Sequence, residues 1–206
     1  MIVEPVIVMD FETTGLGPQS ARVTEVAALR IEAGRVTDRF VTLINCGVSV
    51  PAEITAFTGI TTAMVRAAPP VAEVMPALHR FVGHHPVVAH NAHFDQGFYE
   101  QELRRLQLQS DSEDFLCTIR VARRVLPGLA TYKLSALSAH CGVRFSSAAH
   151  RAEADALVTG EVLTSLSGRI LDAGVPSVTP RLLRELMACR IADAKAILRR
   201  EARGQG

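Results

Sequence analysis

The alternation of apolar and polar positions divides the chain into a β-rich start and a longer stretch in which helices and single strands take turns. Val6-Ile7-Val8-Met9 runs into Asp10-Phe11-Glu12 and then a Thr13-Thr14-Gly15 turn, which predicts a buried strand ending at Asp10 to Glu12. Glu25 to Ile31 and Val36 to Ile44 flank Ala33-Gly34-Arg35 and predict two more strands joined by a hairpin, so three antiparallel strands open a sheet. Then the period changes. Pro51 to Ile54 begins a short helical piece ending near Thr58-Gly59-Ile60-Thr61. Val71, Val74, Met75, Leu78, Phe81 and Val82 recur at helical spacing and predict a helix over 71–82, with Pro76 a candidate kink. Pro86 to His90 is too short for a helix and reads as a buried strand, followed by a helix over 94–106. Another short strand, 114–117, precedes a helix over 119–125 that stops at Leu126-Pro127-Gly128. Further helices are predicted over 133–140, closed by Gly142, and from His150 to about Ala173. This order predicts an α/β or α+β domain with a mixed five-stranded sheet flanked by helices.

Composition sets the scale. The chain has 206 residues, 48% of them hydrophobic and 21% charged, enough for one well-buried domain and a short appendage. No apolar run reaches membrane-spanning length and no signal-type segment opens the chain, so a cytoplasmic protein without membrane contact is expected. Cys46, Cys117, Cys141 and Cys189 form no C-x-x-C pair, which argues against a zinc ribbon and a disulfide framework. The net charge of +1 is unevenly spread: from Pro176 onward seven basic residues face three acids, a local +4 that leaves −3 on the other 175 residues. Gly174-Val175-Pro176 therefore marks the expected boundary between a domain over 1–173 and a basic helical C-terminal tail over 174–206. Such a tail suits contact with phosphate or an acidic partner, and equally a solvated helix face.

Three places carry candidate chemistry. Side chains two apart on a strand share a face, so Asp10 and Glu12 stand side by side at the strand end. Adjacent carboxylates repel, and a divalent cation relieves them; acids solvated at an ordinary strand end are the alternative. Asp95 falls at a helix start after a strand, where the helix dipole favours an anion and where a capping role is also open. His150 and Asp155 are five positions apart, roughly 140° around a continuous helix, so both reach one site only if His150 precedes the helix. Ala152, Ala154 and Ala156 suit a helix packed closely against a neighbour.

In order and separation, D-x-E-T-T-G at Asp10, H-N-A-x-F-D ending at Asp95 and H-R-A-x-x-D-A starting at His150 resemble the three motifs of the DnaQ-like (DEDDh) 3′→5′ exonucleases. The likeness continues through Thr58-Gly59-Ile60-Thr61, Ala122-Arg123 and Tyr132-Lys133-Leu134, and covers about residues 5 to 168. It departs at Cys117, where many relatives carry an acid. The resemblance implies a ribonuclease H-like fold and a catalytic set of Asp10, Glu12, Asp95, His150 and Asp155. In such a site two Mg²⁺ or Mn²⁺ ions are expected: one on Asp10, Glu12 and Asp155, a second bridged by Asp10 and held by Asp95 through water. His150 is expected to take the proton of the attacking water, an imidazole titrating near neutral pH. By the same resemblance Thr13, Leu16 and Phe94 hold the terminal nucleotide and Ile60 lines its pocket, although each also has a core-packing reading. Glu25 matches a frequent family glutamate and is read as structural; His93 sits at a variable position and is not read as a base. The implied activity is 3′→5′ hydrolysis at single-stranded nucleic acid ends, DNA favoured, releasing nucleoside 5′-monophosphates in proofreading or repair. RNA 3′-end trimming, or a subunit that holds a DNA polymerase through the basic tail, are the alternatives, and a homodimer is a further candidate assembly. Nothing in the sequence reads a 2′-hydroxyl.

Overall fold

The sheet is built around the first strand. In the computed structural model, which describes residues 2–109, 115–144 and 150–204, β1 (Val6–Thr13) pairs antiparallel with β2 (Val23–Glu32), and β2 pairs antiparallel with β3 (Arg35–Leu43). On its other side β1 runs parallel to β4 (Val87–Ala89), which runs parallel to β5 (Phe115–Cys117), giving the order β3-β2-β1-β4-β5. A parallel pair needs a crossover, and the segment from β3 to β4 supplies it with α1 (Ala52–Thr58), α2 (Thr62–Arg66) and α3 (Val71–Val82). Then α4 (Ala92–Arg105) connects β4 to β5, and α5 (Thr118–Val125), α6 (Leu134–His140) and α7 (Ala152–Asp172) follow. The mixed five-stranded sheet flanked by helices is the arrangement expected from the apolar pattern.

β1 is central because it is apolar on both faces: Val6, Ile7, Val8 and Met9 are buried. The polarity changes only at its end, where the β1–β2 register shifts between Glu12 and Thr13 and the chain turns away. α7 lies across β1 and β2. Its close approach depends on Gly160, where an added Cβ would lie 2.6 Å from Ile31 Cδ1, and on the buried small residues Ala152, Ala154 and Ala156.

The elements differ from expectation in details. α2 was not predicted; five residues are too few to show a period, and it is started by the Thr61 hydroxyl accepting the Met64 N–H at 3.2 Å. α4 begins at Ala92 rather than Phe94, because Asn91 takes a left-handed backbone (φ 65°) that turns the chain straight from β4 into the helix. Pro76 is accommodated inside α3. Asp114, expected to open β5, lies outside the described residues.

Beyond Gly174, α8 (Pro180–Ala188) and α9 (Ala194–Ala202) follow. Val178, Leu182, Leu183, Leu186 and Met187 are buried in the same core as the sheet, and α8 packs on α5 and β5. Arg120 Nη2 donates to the Met187 carbonyl at 2.7 Å and Arg124 Nη2 to the Cys189 carbonyl at 2.6 Å, so side chains of α5 satisfy the open carbonyl end of α8. Three of the seven basic residues pair with the three acids of the segment, in Arg181–Glu201, Arg190–Asp193 and Arg200 with Glu185 and Glu201, so the excess of +4 rests on the other four. Among the described residues no helix is long and apolar enough to cross a membrane.

Candidate active site

Three carboxylates converge at the end of β1. Asp10 and Glu12 project from the strand, Asp155 comes from the first turn of α7, and one oxygen of each lies within 4.8 Å of the others. Asp95 reaches the same place from the first turn of α4. It is not the cap of that helix: its Oδ1 accepts the Phe11 N–H of β1 at 3.1 Å, and it is 2% exposed. His150 precedes α7, as the spacing required, in a left-handed backbone (φ 68°) that a non-glycine residue adopts at a cost. Its ring rests on Phe57 of α1, with centroids 3.8 Å apart and planes inclined by 33°.

The electrostatics of this cluster are unfavourable as they stand. Burial, then the charges of Asp95, Asp155, Glu12 and Glu25, push the Asp10 carboxyl well above its usual range. Burial followed by Asp155 and Glu25 brings Glu12 to about 7, with Arg151 offsetting part of the effect. Asp95 is raised by burial against the Phe11 N–H that favours its charge, and Asp155 is raised by burial against His150. Asp155 Oδ1 is buried without a hydrogen-bond partner. Clustered hard oxygen donors, an orphaned carboxylate oxygen and mutual repulsion suit a divalent metal cation.

Two glutamate-centred contacts keep the parts in place. Glu25 of β2, buried and opposite Glu12 in the β1–β2 register, accepts Arg151 Nε at 3.0 Å and the Ala152 N–H at 3.0 Å. It therefore anchors the start of α7 between His150 and Asp155. The structural reading of Glu25 agrees with these contacts; its partner Arg151, 126 positions away, is what the sequence did not show. On α4, Glu102 plays a comparable part for the loop after β1: it accepts Arg22 Nε at 2.8 Å and Arg105 Nη1 at 2.8 Å, and Arg105 Nη2 donates to the Pro18 carbonyl at 2.8 Å.

A cavity of about 230 Å³ opens beside the acids. Thr13, Leu16 and Phe94 line it together with Asp10, Glu12, Asp95, His150 and Asp155. Thr13 is buried and its hydroxyl donates to the Gly15 carbonyl at 2.6 Å, while Leu16 is 88% exposed. Ile60 is not there. It is fully buried in a separate small core with Cys46, Val50 and Val65, because Gly59, left-handed at φ 74° after α1, turns the chain inward. The wall assigned to Ile60 is formed by Ile54 and by Phe57, a 60% exposed ring that sequence reading missed. The seven residues of α1 are too few to mark in the sequence which of its sides is covered.

His90 also borders the cavity; burial lowers its pKa to about 4, and its Nδ1 pairs with the Thr118 hydroxyl at 2.8 Å, so the ring is neutral near pH 7. At Cys117, where an acid was expected from relatives, the backbone N–H donates to the Met187 sulfur at 3.2 Å and ties β5 to α8.

Comparison with known proteins bears on this geometry. A family model described as Exonuclease matches residues 7–163. The DNA polymerase III subunit epsilon of Aquifex aeolicus is 34% identical over 160 residues, 78% of this chain and 79% of that protein. The PolC-type DNA polymerase III of Oceanobacillus iheyensis is 36% identical over 166 residues, 81% of this chain but 12% of the polymerase. The 3′-5′ exonuclease DinG of Bacillus subtilis is 35% identical over 193 residues, 93% of this chain and 20% of DinG. The chain thus spans a fifth or less of the length of the last two relatives. Among solved structures, exonuclease X in complex with 5′ overhanging duplex DNA matches with a TM-score of 0.69 at 23% identity, covering 89% of this chain and 99% of that one. The sheet and its helices share that ribonuclease H-like fold.

Proposed function

The chain belongs to the exonuclease family, and on that premise we propose that it hydrolyses phosphodiester bonds at the 3′ ends of single-stranded DNA, moving 3′→5′ and releasing nucleoside 5′-monophosphates. The observation that carries this reading is the meeting of Asp10, Glu12 and Asp155 beside His150 in one open cavity. Asp10, Glu12, Asp155 and Asp95 are the residues to hold two divalent cations, Mg²⁺ or Mn²⁺. Bound there, the cations would polarise the scissile phosphate and acidify the attacking water. His150 takes the proton of that water as general base, its ring oriented by Phe57 and by the anchored start of α7. Leu16, Phe57 and Phe94 offer apolar faces to the terminal nucleoside, and Thr13 fixes the turn beneath it.

The test is stepwise shortening of 5′-labelled single-stranded DNA, duplex DNA with a 5′ overhang, and RNA of matched sequence, with the released mononucleotides identified by chromatography. Folded Asp10→Ala and His150→Ala proteins are expected to lose about 10²-fold or more in rate, and EDTA to stop the reaction. Full activity in either variant or in EDTA would sink the proposal, and RNA digested faster than DNA would replace DNA by RNA 3′-end trimming. Similarity to a polymerase III epsilon subunit favours a second element of the reading, that the chain works beside a replicative DNA polymerase in proofreading. Co-purification with the polymerase catalytic subunit checks it, and independent migration of the two counts against it.

A further inference from the structure

We propose that the outer face of α9 binds the phosphate backbone of a nucleic acid away from the cleaved end, holding the part of a long strand that extends beyond the acid-lined cavity. The ligand class rests on the nuclease reading of that cavity. Lys195, Arg199 and Arg203 recur every four residues, so they lie within ~80° of one another around the helix and span ~12 Å along it. All three are exposed, and among the described residues none of them meets an acid. At ~3.4 Å of rise per phosphate on one strand of a duplex, that length faces about three or four phosphates.

The fold itself makes no use of these charges. α9 is held by its other side: Ala194 is buried, Ile197 and Leu198 pack against the core, and Arg181–Glu201 and Arg200–Glu185 tie the helix to α8. Like charges four apart on a helix repel one another, and Lys195 stands in the first turn, where the helix dipole disfavours a cation. Asp193, immediately before the helix, is the acid placed to relieve Lys195. It caps no N–H of α9 and pairs with Arg190 at 2.7 Å instead. A row of uncompensated cations, one of them at the unfavourable end of its helix, is accounted for by an external polyanion and not by helix stability.

The character of the face selects a nucleic acid over an acidic protein. Its other exposed residues are Ala196 and Ala202, so it lacks the large aromatic or apolar anchor on which protein interfaces centre, whereas a phosphodiester chain draws on charge alone. The position selects a long one. None of the three side chains lines the cavity with the acids. α8 packs on α5 and β5, two strands away from β1, and α9 is tied to α8. Spacings of ~4.8 Å between strands and ~8–10 Å between packed helices put α9 roughly 20–30 Å from the acids. A bound terminal nucleotide does not reach it, and a longer substrate does, either as a continuing single strand or as the duplex behind a frayed end.

The experiment uses the full chain with Ca²⁺ in place of Mg²⁺ and follows labelled DNA by fluorescence anisotropy between ~50 and ~200 mM salt. Lys195→Gln/Arg199→Gln/Arg203→Gln removes the three charges and keeps side chains that favour a helix. Arg35→Gln/Arg66→Gln/Arg80→Gln, at exposed positions on other elements, removes the same net charge elsewhere. In the α9 variant, Kd for a ~30-nucleotide thymidine strand, for a duplex of that length with a recessed 3′ end, or for both should rise about ten-fold near ~100 mM salt. The slope of log K against log salt should become shallower by ~2 on the single strand or ~2.7 on the duplex. Affinity for a thymidine trinucleotide, and its hydrolysis in Mg²⁺, should change less than about two-fold. A loss confined to the single strand assigns the continuing strand to α9, and one confined to the duplex assigns the duplex. Unchanged Kd and slope for both DNAs, equal weakening of the trinucleotide, or an equal loss in the variant at Arg35, Arg66 and Arg80 overturns the proposal. Wild-type protein that shows these dependences yet releases no nucleotide in Mg²⁺ would overturn the nuclease reading and leave the α9 contact standing.

Discussion

Glu12 is held at a pKa of about 7 against an ordinary 4.5, first by burial and then by Asp155 and Glu25. A carboxyl with a higher pKa folded than unfolded binds its proton more tightly in the folded state, so it carries no penalty below the unfolded value and the full penalty above the folded one. At ~1.4 kcal/mol per unit, ionised Glu12 costs the cation-free fold ~3 kcal/mol. Asp10, Asp95 and Asp155 are raised in the same direction, so the protein in EDTA is expected to lose stability as pH rises from about 4.5 through about 7. Glu12→Gln keeps the shape and removes the charge. In EDTA near pH 8 it should melt ~6–12 °C above wild type, whereas near pH 5 the gain should fall below ~1 kcal/mol, or a few degrees. Saturating Mg²⁺ should reverse the order near pH 8, since it stabilises the ionised cluster of the wild type and finds one ligand fewer in the variant. Differential scanning calorimetry at the two pH values, with and without Mg²⁺, reads all of this. A variant no more stable than wild type in EDTA near pH 8, together with an Mg²⁺ effect that ignores pH, would refute the account of these acids as a repulsive cluster awaiting cations.

Phe57→Ala should raise KM for single-stranded DNA ~5–20-fold and lower kcat through the lost His150 contact, with a melting temperature within about 2 °C of wild type because the ring is mostly exposed; steady-state kinetics and calorimetry test the pair of effects. Ile60→Ala should do the converse, costing ~2–4 kcal/mol in urea unfolding while kcat/KM holds at temperatures where the variant is folded. Glu25→Gln should reduce kcat by ~10-fold or more with KM little changed, and cost ~1–2 kcal/mol, a modest figure because its partner Arg151 is partly solvated. A chain stopped after Ala173 loses the buried Leu182, Leu183, Leu186 and Met187, at ~2 kcal/mol or more each against a total stability of ~5–15 kcal/mol, and should show no cooperative unfolding by circular dichroism; a sharp transition would mean that the segment is dispensable for folding.

β1, β2, β4 and β5 were legible as continuously apolar runs bounded by turns and α3 by its helical period, and Val71–Val82 emerged with its ends in place. The acids were legible because each is fixed to its element by local sequence: Asp10 and Glu12 by the two-residue repeat of β1, Asp155 by the turn of α7. What escaped depended on where the chain turns or on partners far along it. Gly59 decides that Ile60 enters a core and Phe57 faces the cavity, and no pattern of five or six residues shows which side of a short helix will be covered. Glu25 and Arg151 are 126 positions apart and Glu102 and Arg22 are 80 apart, so neither pairing leaves a local trace. The same holds for residues 174–204: their basic excess was visible, but the ion pairs and the Leu182 to Met187 face that bind them to α5 and β5 appear only in three dimensions.

The contrast among the acids themselves says what each is for. Glu25 and Glu102 are both buried, and both are matched by arginines with hydrogen bonds of 2.8–3.0 Å. This shows that the fold pairs a buried carboxylate where its purpose is to hold structure, in keeping with the high cost of leaving one alone. Among the described ion pairs none reaches Asp10, Glu12 or Asp155, although Arg151 stands near enough to be felt by Glu12. Arg151 is turned to Glu25 instead, which leaves three acid oxygens within 4.8 Å of one another with no arginine or lysine between them. A structural acid cluster would have used that guanidinium. On the proposed reading the arrangement separates two tasks: paired glutamates fix the start of α7 and the loop bearing Leu16, and the acids they surround, unpaired with any arginine or lysine among the described residues, leave their oxygens for the cations that the proposal assigns to them.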